Sequence, residues 1–134
     1  MIAAGLRYFA IVFAVAFAFG TLRTLWLAPA IGATAAVLIE LPLILMVSVA
    51  AAWPIVRRPR MMTRGEAIGT GAIAFAVLMA AEAALAVFAF GMTMAGWLAS
   101  LVRMPGPIGL AGQLIFALMP LIVRARLSRF PRQR

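Results

Sequence analysis

Two glutamates, Glu40 and Glu82, lie in the middle of long apolar stretches of this chain. A carboxylate in the hydrocarbon of a bilayer costs roughly 2.5–3.5 kcal/mol on insertion scales, so it is usually paired, protonated or turned toward a polar cavity. In that setting a carboxylate can bind a proton or a cation, or it can hold two helices together through an ion pair. These two positions are therefore the strongest candidates for a functional site.

Arg23, near the end of the first apolar stretch, is the predicted partner of Glu40. Counted from a short turn at residues 28–32, Arg23 lies about 9 Å and Glu40 about 12 Å along its helix. Gly20 shares a helix face with Arg23, and Ala36 shares one with Glu40, so the two helices can approach closely. The sequence predicts a buried ion pair between neighbouring antiparallel helices. It would either lock this hairpin or act as a pair that protonation or a ligand can open.

Glu82, in the third apolar stretch, has no arginine that the sequence places at its depth. Its expected partner is Gln113, a hydroxyl such as that of Ser48 or Thr93, or Arg23. Glu82 is predicted to be buried away from lipid, either as a hydrogen-bonded core residue or as a proton or cation site. The opposite side of the same helix carries small residues at every fourth position, which predicts close packing against another helix: Ala72, Ala76, Ala80 and Ala84.

Four apolar stretches are long enough to hold these residues in a membrane. The chain has 134 residues and is 66% hydrophobic, whereas a soluble domain is typically about 45–50% apolar. A bilayer core needs roughly 20 helical residues, and the stretches do not alternate as the strands of a barrel would. The sequence predicts a single all-α membrane domain over residues 1–134. Its fold is a four-transmembrane-helix bundle with spans at about 6–27, 31–56, 67–97 and 107–123.

Arginine is distributed unevenly between the two ends of these spans. All twelve basic residues are arginines, and ten of them fall near the N-terminus, in the loop 57–66 or in the tail 124–134. Because basic residues favour the cytoplasmic side, both ends of the chain are predicted to be cytoplasmic (N-in/C-in). Several of these arginines are expected to contact anionic lipid headgroups: Arg57, Arg58, Arg60, Arg64, Arg124, Arg126 and Arg129.

Local signals mark helix ends and irregularities. Thr63 and Glu66 have the spacing of a capping box, which predicts that the third span begins there. Prolines inside the spans remove helical hydrogen bonds: Pro42, Pro54 and Pro120. Tryptophans near the span ends are expected to anchor at the membrane interface: Trp26, Trp53 and Trp97.

The composition argues against several classes of function. Cysteine and histidine are absent, which removes thiol chemistry and the usual zinc, haem and iron–sulfur ligands. The sequence has no phosphate-binding loop or catalytic triad, so neither enzyme activity nor a metal or cofactor is expected. The net charge of +9 is explained by membrane topology rather than by nucleic-acid binding.

The sequence favours a non-enzymatic component or accessory subunit of a bacterial inner membrane. Four helices make a small enclosure, so a homo-oligomer or a larger membrane complex is expected. The alternative is a small proton-coupled transporter or channel whose path passes Glu40 and Glu82.

Overall fold

The computed structural model describes residues 1–57 and 60–130. Within these residues all regular secondary structure is helical, without strands. The helices are α1 (Ile2–Ile31), α2 (Ala33–Arg57), α3 (Arg64–Ala89), α4 (Met94–Ser100) and α5 (Gly106–Arg129). All except α4 are long and apolar enough to cross a membrane, as the sequence predicted. The all-α class and the four apolar spans are therefore confirmed.

A single glycine reverses the chain between α1 and α2. Gly32 has a φ of 90°, a left-handed conformation that other residues rarely adopt. The turn is shorter than the predicted 28–32, because α1 continues through Pro29 to Ile31. Before Pro29, residues 23–27 form a π-helical turn in which the Ala28 N–H donates to the Arg23 carbonyl. Pro29 itself has no N–H to continue the regular ladder, which favours this rearrangement.

The predicted capping box fixes the start of α3. The Thr63 hydroxyl accepts a hydrogen bond from the Glu66 N–H at 3.2 Å, and the Glu66 carboxylate accepts one from the Thr63 N–H at 2.7 Å. Arg60 donates twice to the same carboxylate, at 2.7 and 3.0 Å. These bonds satisfy N–H groups that a helix start leaves unpaired. The third span therefore begins at Arg64, close to the prediction.

The far end of the third span differs from the prediction of 67–97. Helix α3 stops at Ala89, and Gly91, with a φ of 67°, separates it from α4. Thr93 then caps α4, because its hydroxyl accepts a hydrogen bond from the Gly96 N–H at 2.9 Å. The residues on both sides of this break are apolar, so hydropathy alone gave no sign of it.

The four long helices form a ring in which α1 and α5 each pack against both α2 and α3. Across the ring, the Tyr8 ring stacks on Phe116 at 4.5 Å between centroids. The Tyr8 hydroxyl donates to the Phe116 carbonyl at 2.7 Å. That carbonyl lacks its usual helical partner, because Pro120 four residues later has no N–H. Tyr8 thus satisfies the carbonyl that Pro120 leaves without a helical donor, within the buried core of the bundle.

The alanine row on α3 lies on the outside of the chain, contrary to the prediction that it packs against another helix. Ala72, Ala76, Ala80 and Ala84 are all exposed. The packed side of α3 includes Gly71 instead, where a Cβ would overlap the Ala117 carbonyl of α5. Gly71 therefore allows α3 and α5 to approach closely, on a face of α3 next to the alanine row.

The arginines predicted to contact lipid headgroups gather at the end of the bundle where α2 ends and α3 begins. Those that are exposed are Arg57, Arg60, Arg64, Arg126 and Arg129. Arg124 is partly buried, and its Nε donates to the Met62 carbonyl at 3.0 Å, so it also ties the loop to α5. Arg58 lies outside the described residues.

Candidate functional site

The four polar residues singled out from the sequence meet in one cavity. Arg23, Glu40, Glu82 and Gln113 all line an internal space of about 150 Å³, here called the inner cavity. Each comes from a different long helix: α1, α2, α3 and α5 respectively. The remaining walls are largely apolar. The bundle thus brings one arginine, two glutamates and one glutamine of its four long helices together.

Arg23 and Glu40 form the predicted ion pair, with 3.0 Å between Arg23 Nη1 and Glu40 Oε2. The pair is not buried as a unit, because the Arg23 side chain is 33% exposed and that of Glu40 is 13% exposed. Glu40 Oε2 is itself enclosed and has no hydrogen-bond partner, so the contact with Arg23 lacks the alignment of a hydrogen bond. Glu40 Oε2 is therefore held by charge attraction to Arg23 and not by an aligned hydrogen bond.

Glu82 takes Gln113 as its partner. Gln113 Nε2 donates to Glu82 Oε1 at 2.6 Å, while the other end of the amide, Oε1, is enclosed without any donor. The hydroxyls considered from sequence are used elsewhere: Ser48 donates to the Ile44 carbonyl at 2.8 Å, and Thr93 caps α4. Within residues 1–57 and 60–130, no arginine forms an ion pair with Glu82.

Irregular helical turns lie beside two of the four polar residues, and the sequence analysis missed both. The π-helical turn of α1 begins at Arg23 itself. A second π-helical turn, at residues 85–89 of α3, begins three residues after Glu82. Such turns insert one residue into a helix and occur often at functional sites. Pro29 is a sequence signal for the first turn, whereas the second has no comparable signal.

A wider space, here called the vestibule, adjoins the inner cavity. It has a volume of about 460 Å³ and shares Arg23, Glu82 and Gln113 with the inner cavity. Its other walls include Trp97 and Ser100 of α4, a helix that the sequence analysis did not predict. Thr24 of α1 and Ala33 at the start of α2 also line it and are exposed, so it reaches the outside of the bundle. Trp97, predicted as an interface anchor, is partly buried in this wall instead.

The opposite side of the inner cavity is closed. Val12 and Phe116 line the inner cavity and also belong to the buried core, where they are 4% and 3% exposed. The Tyr8–Phe116 stack lies in the same core. Packed side chains therefore separate the polar site from the arginine-rich end of the bundle. The vestibule adjoins the inner cavity on the side away from this core.

The ion pair also borders a groove on the outer surface between α1 and α2. This groove has a volume of about 200 Å³, and its lining is apolar apart from Arg23 and Glu40. Trp26 and Leu43 are among the exposed residues that line it. Arg23 thus borders both the inner cavity and an apolar outer groove.

The charged side chains of the inner cavity partly neutralise one another, but they do not resemble a metal centre. Within the described residues, no group of three or more carboxylate, histidine or cysteine side chains could hold a metal ion. Two carboxylates and one guanidinium line the inner cavity, which leaves one negative charge in excess when both acids are ionised. Uncompensated charge is costly in a poorly solvated space, so a proton or a monovalent cation is the natural complement.

No protein-family model matches this chain, and no curated protein or solved structure is significantly similar to it. Function is therefore inferred from the chemistry of the inner cavity and the vestibule.

Proposed function

We propose that the chain is a non-enzymatic, multi-pass protein of a bacterial inner membrane that carries protons or a small cationic solute. The observation that supports this function is the convergence of Arg23, Glu40, Glu82 and Gln113 on one inner cavity. Carboxylates inside a membrane are costly, and they mark ion and proton pathways when they line a cavity rather than face lipid.

The charge balance of the inner cavity supports a role for protons. Arg23 compensates Glu40, and Gln113 offers Glu82 a hydrogen bond but no charge. Glu82 is therefore the group that gains most from taking up a proton or a cation. Release would follow when Glu82 is exposed to water on another side, as carriers with a central site require.

The proposed orientation is N-in/C-in, which follows from the arginine distribution. The vestibule then opens to the outer side, and the Tyr8–Phe116 stack closes the cytoplasmic side. Such one-sided access is expected of one state of an alternating-access carrier. Transport would require the helices to separate around Tyr8.

The second candidate function is a structural component or accessory subunit of a homo-oligomer or a larger complex. It is favoured by the two polar contacts, since Arg23–Glu40 joins α1 to α2 and Gln113–Glu82 joins α5 to α3. Such contacts can fix helix packing without any further role. The exposed alanine row on α3 is also suited to close contact with a helix of another subunit.

Proton flux into vesicles distinguishes the two candidates. The purified protein is reconstituted in liposomes that contain a pH-sensitive dye, and a pH gradient and a potential are imposed. A carrier or channel gives protein-dependent flux that Glu82→Gln abolishes. Glu66→Gln is the matched control, because the same substitution is made at a partly exposed carboxylate in the first turn of α3, outside the inner cavity and the vestibule. Absence of flux from the wild type, with and without small amines added, would contradict the carrier and support the structural component.

A further inference from the structure

The inner cavity has more hydrogen-bond acceptors than donors. Gln113 Oε1 is enclosed and has no donor, and Glu40 Oε2 is enclosed with Arg23 Nη1 at 3.0 Å but without an aligned hydrogen bond. The donors nearby are already engaged: Arg23 in its ion pair, and Gln113 Nε2 with Glu82. Enclosed acceptors without partners are rare in folded proteins, because they lose their bonds to water and gain nothing in return. The missing partner is a donor that fits inside the bundle.

The charge of the inner cavity restricts what this donor can be. Its lining carries an excess negative charge when Glu40 and Glu82 are both ionised, so a cation is favoured over a neutral alcohol. A proton on one carboxyl group can satisfy only one acceptor. A primary ammonium group carries three N–H donors and one positive charge, and it can therefore serve several acceptor oxygens together.

The size and walls of the inner cavity define the rest of the ligand. A cavity of about 150 Å³ can hold a molecule the size of benzene, or about six heavy atoms. Phe9, Phe13 and Leu78 are among the apolar walls and suit a short alkyl chain. Aromatic faces also attract cations. The shared residues Arg23, Glu82 and Gln113 at the vestibule provide the route of entry.

We infer that the inner cavity is a binding site for a short primary alkylammonium cation, held between Glu40, Glu82 and the free oxygen of Gln113. This inference rests on the proposed carrier function and names the solute class of the same site. The alkyl chain lies against the apolar walls, and the ammonium group neutralises the excess negative charge.

Binding of propylammonium to the purified full-length protein tests this inference. Isothermal titration in detergent, at constant pH and ionic strength, compares propylammonium with two matched probes. Tetramethylammonium has the same charge but no N–H donor, and 1-propanol has the same chain but no charge. Saturable binding is expected for propylammonium, with an affinity at least about tenfold higher than for either probe. The reason is that neither probe can form the charge-assisted hydrogen bonds of an ammonium group.

Variants assign the binding to the inner cavity. Gln113→Leu removes the free acceptor at similar size, and Glu40→Gln removes a charge with little change of shape. Each is expected to weaken propylammonium binding about tenfold or more. Thr21→Val is the control, because Thr21 is exposed on α1 and its hydroxyl bonds only to the Phe17 carbonyl of its own helix. Its affinity should match that of the wild type.

Equal affinity for propylammonium and tetramethylammonium, or no binding of propylammonium, would overturn the inference even if a variant failed to fold. Unchanged affinity in both folded variants would overturn it as well. If propylammonium does not bind but Glu82-dependent proton flux persists, the ammonium site is wrong and the proton carrier stands. If propylammonium binding and proton flux are both missing, the ammonium site and the carrier function are both wrong.

Discussion

Removing the guanidinium of Arg23 is expected to destabilise the bundle more than removing the charge of Glu40. Arg23→Met leaves a carboxylate that is only 13% exposed without its cation. Glu40→Gln leaves a guanidinium that is 33% exposed and also lines the open vestibule, where water can solvate it. The two variants should therefore lose different amounts of unfolding free energy, although each breaks the same ion pair.

The exposure of the two side chains sets the size of these losses. Breaking a buried ion pair costs about 3–5 kcal/mol, whereas an exposed pair contributes about 0–1 kcal/mol. This partly exposed pair lies between those limits. The unfolding free energy should fall by about 2–3 kcal/mol for Arg23→Met and by about 1 kcal/mol for Glu40→Gln. The double variant Arg23→Met/Glu40→Gln should lose less than Arg23→Met alone, because no unpaired charge remains.

Reversible unfolding in mixed detergent micelles, followed by circular dichroism, measures these free energies. A coupling energy of about 1–2 kcal/mol between the two positions is expected from the double-mutant cycle. The control Thr21→Val, on the same helix as Arg23, should stay within about 0.5 kcal/mol of the wild type. Additive losses from the two single variants, or a larger loss for Glu40→Gln than for Arg23→Met, would refute the reasoning.

Three further predictions concern packing and topology. Gly71→Leu should destabilise the bundle by about 1–3 kcal/mol or prevent folding, because its side chain would overlap the α5 backbone. Gly65→Ala is the control and should leave stability unchanged, because Gly65 faces open space; thermal unfolding compares the two variants. Tyr8→Phe should lower the unfolding free energy by about 1–3 kcal/mol, since a buried carbonyl on α5 then loses its donor; equal stability by the same assay would contradict this. The protein has no cysteine of its own, so single cysteines can report topology. A cysteine at position 105 should react with an impermeant reagent added outside intact cells, and a cysteine at position 60 should not. The reverse labelling pattern would contradict the N-in/C-in topology.

The depth of Arg23 and Glu40 could be predicted because two simple quantities determine it. The turn at Gly32 is tight, and both helices rise by about 1.5 Å per residue on either side of it. Opposite charges at equal depth on neighbouring helices then meet with little further adjustment. The ion pair at 3.0 Å is the result.

The partner of Glu82 and the orientation of the alanine row could not be derived in this way. Lipid and neighbouring helices are both apolar, so hydropathy does not tell which face of α3 turns inward. The close approach at Gly71 and the hydrogen bond from Gln113 decide that rotation. Gln113 was one of several candidate partners, and only the position of α5 selects it.

The vestibule was missed for a different reason. It depends on the break between α3 and α4, where apolar residues continue through the chain on both sides of Gly91. The cue available in the sequence was Gly91 followed by Thr93, a helix stop followed by a helix cap. Without that break, Trp97 and Ser100 would not form a wall of the vestibule.

The most direct test of the central claim is whether Glu82 takes up and releases protons inside the folded bundle. Infrared difference spectroscopy of the protein in lipid, recorded as the pH of the medium changes, reports the carboxyl stretching bands. The account predicts a pH-dependent carboxyl band that is lost in Glu82→Gln and retained in the matched control Glu66→Gln. Identical difference spectra for the wild type and Glu82→Gln would show that Glu82 does not exchange protons, and would contradict the carrier.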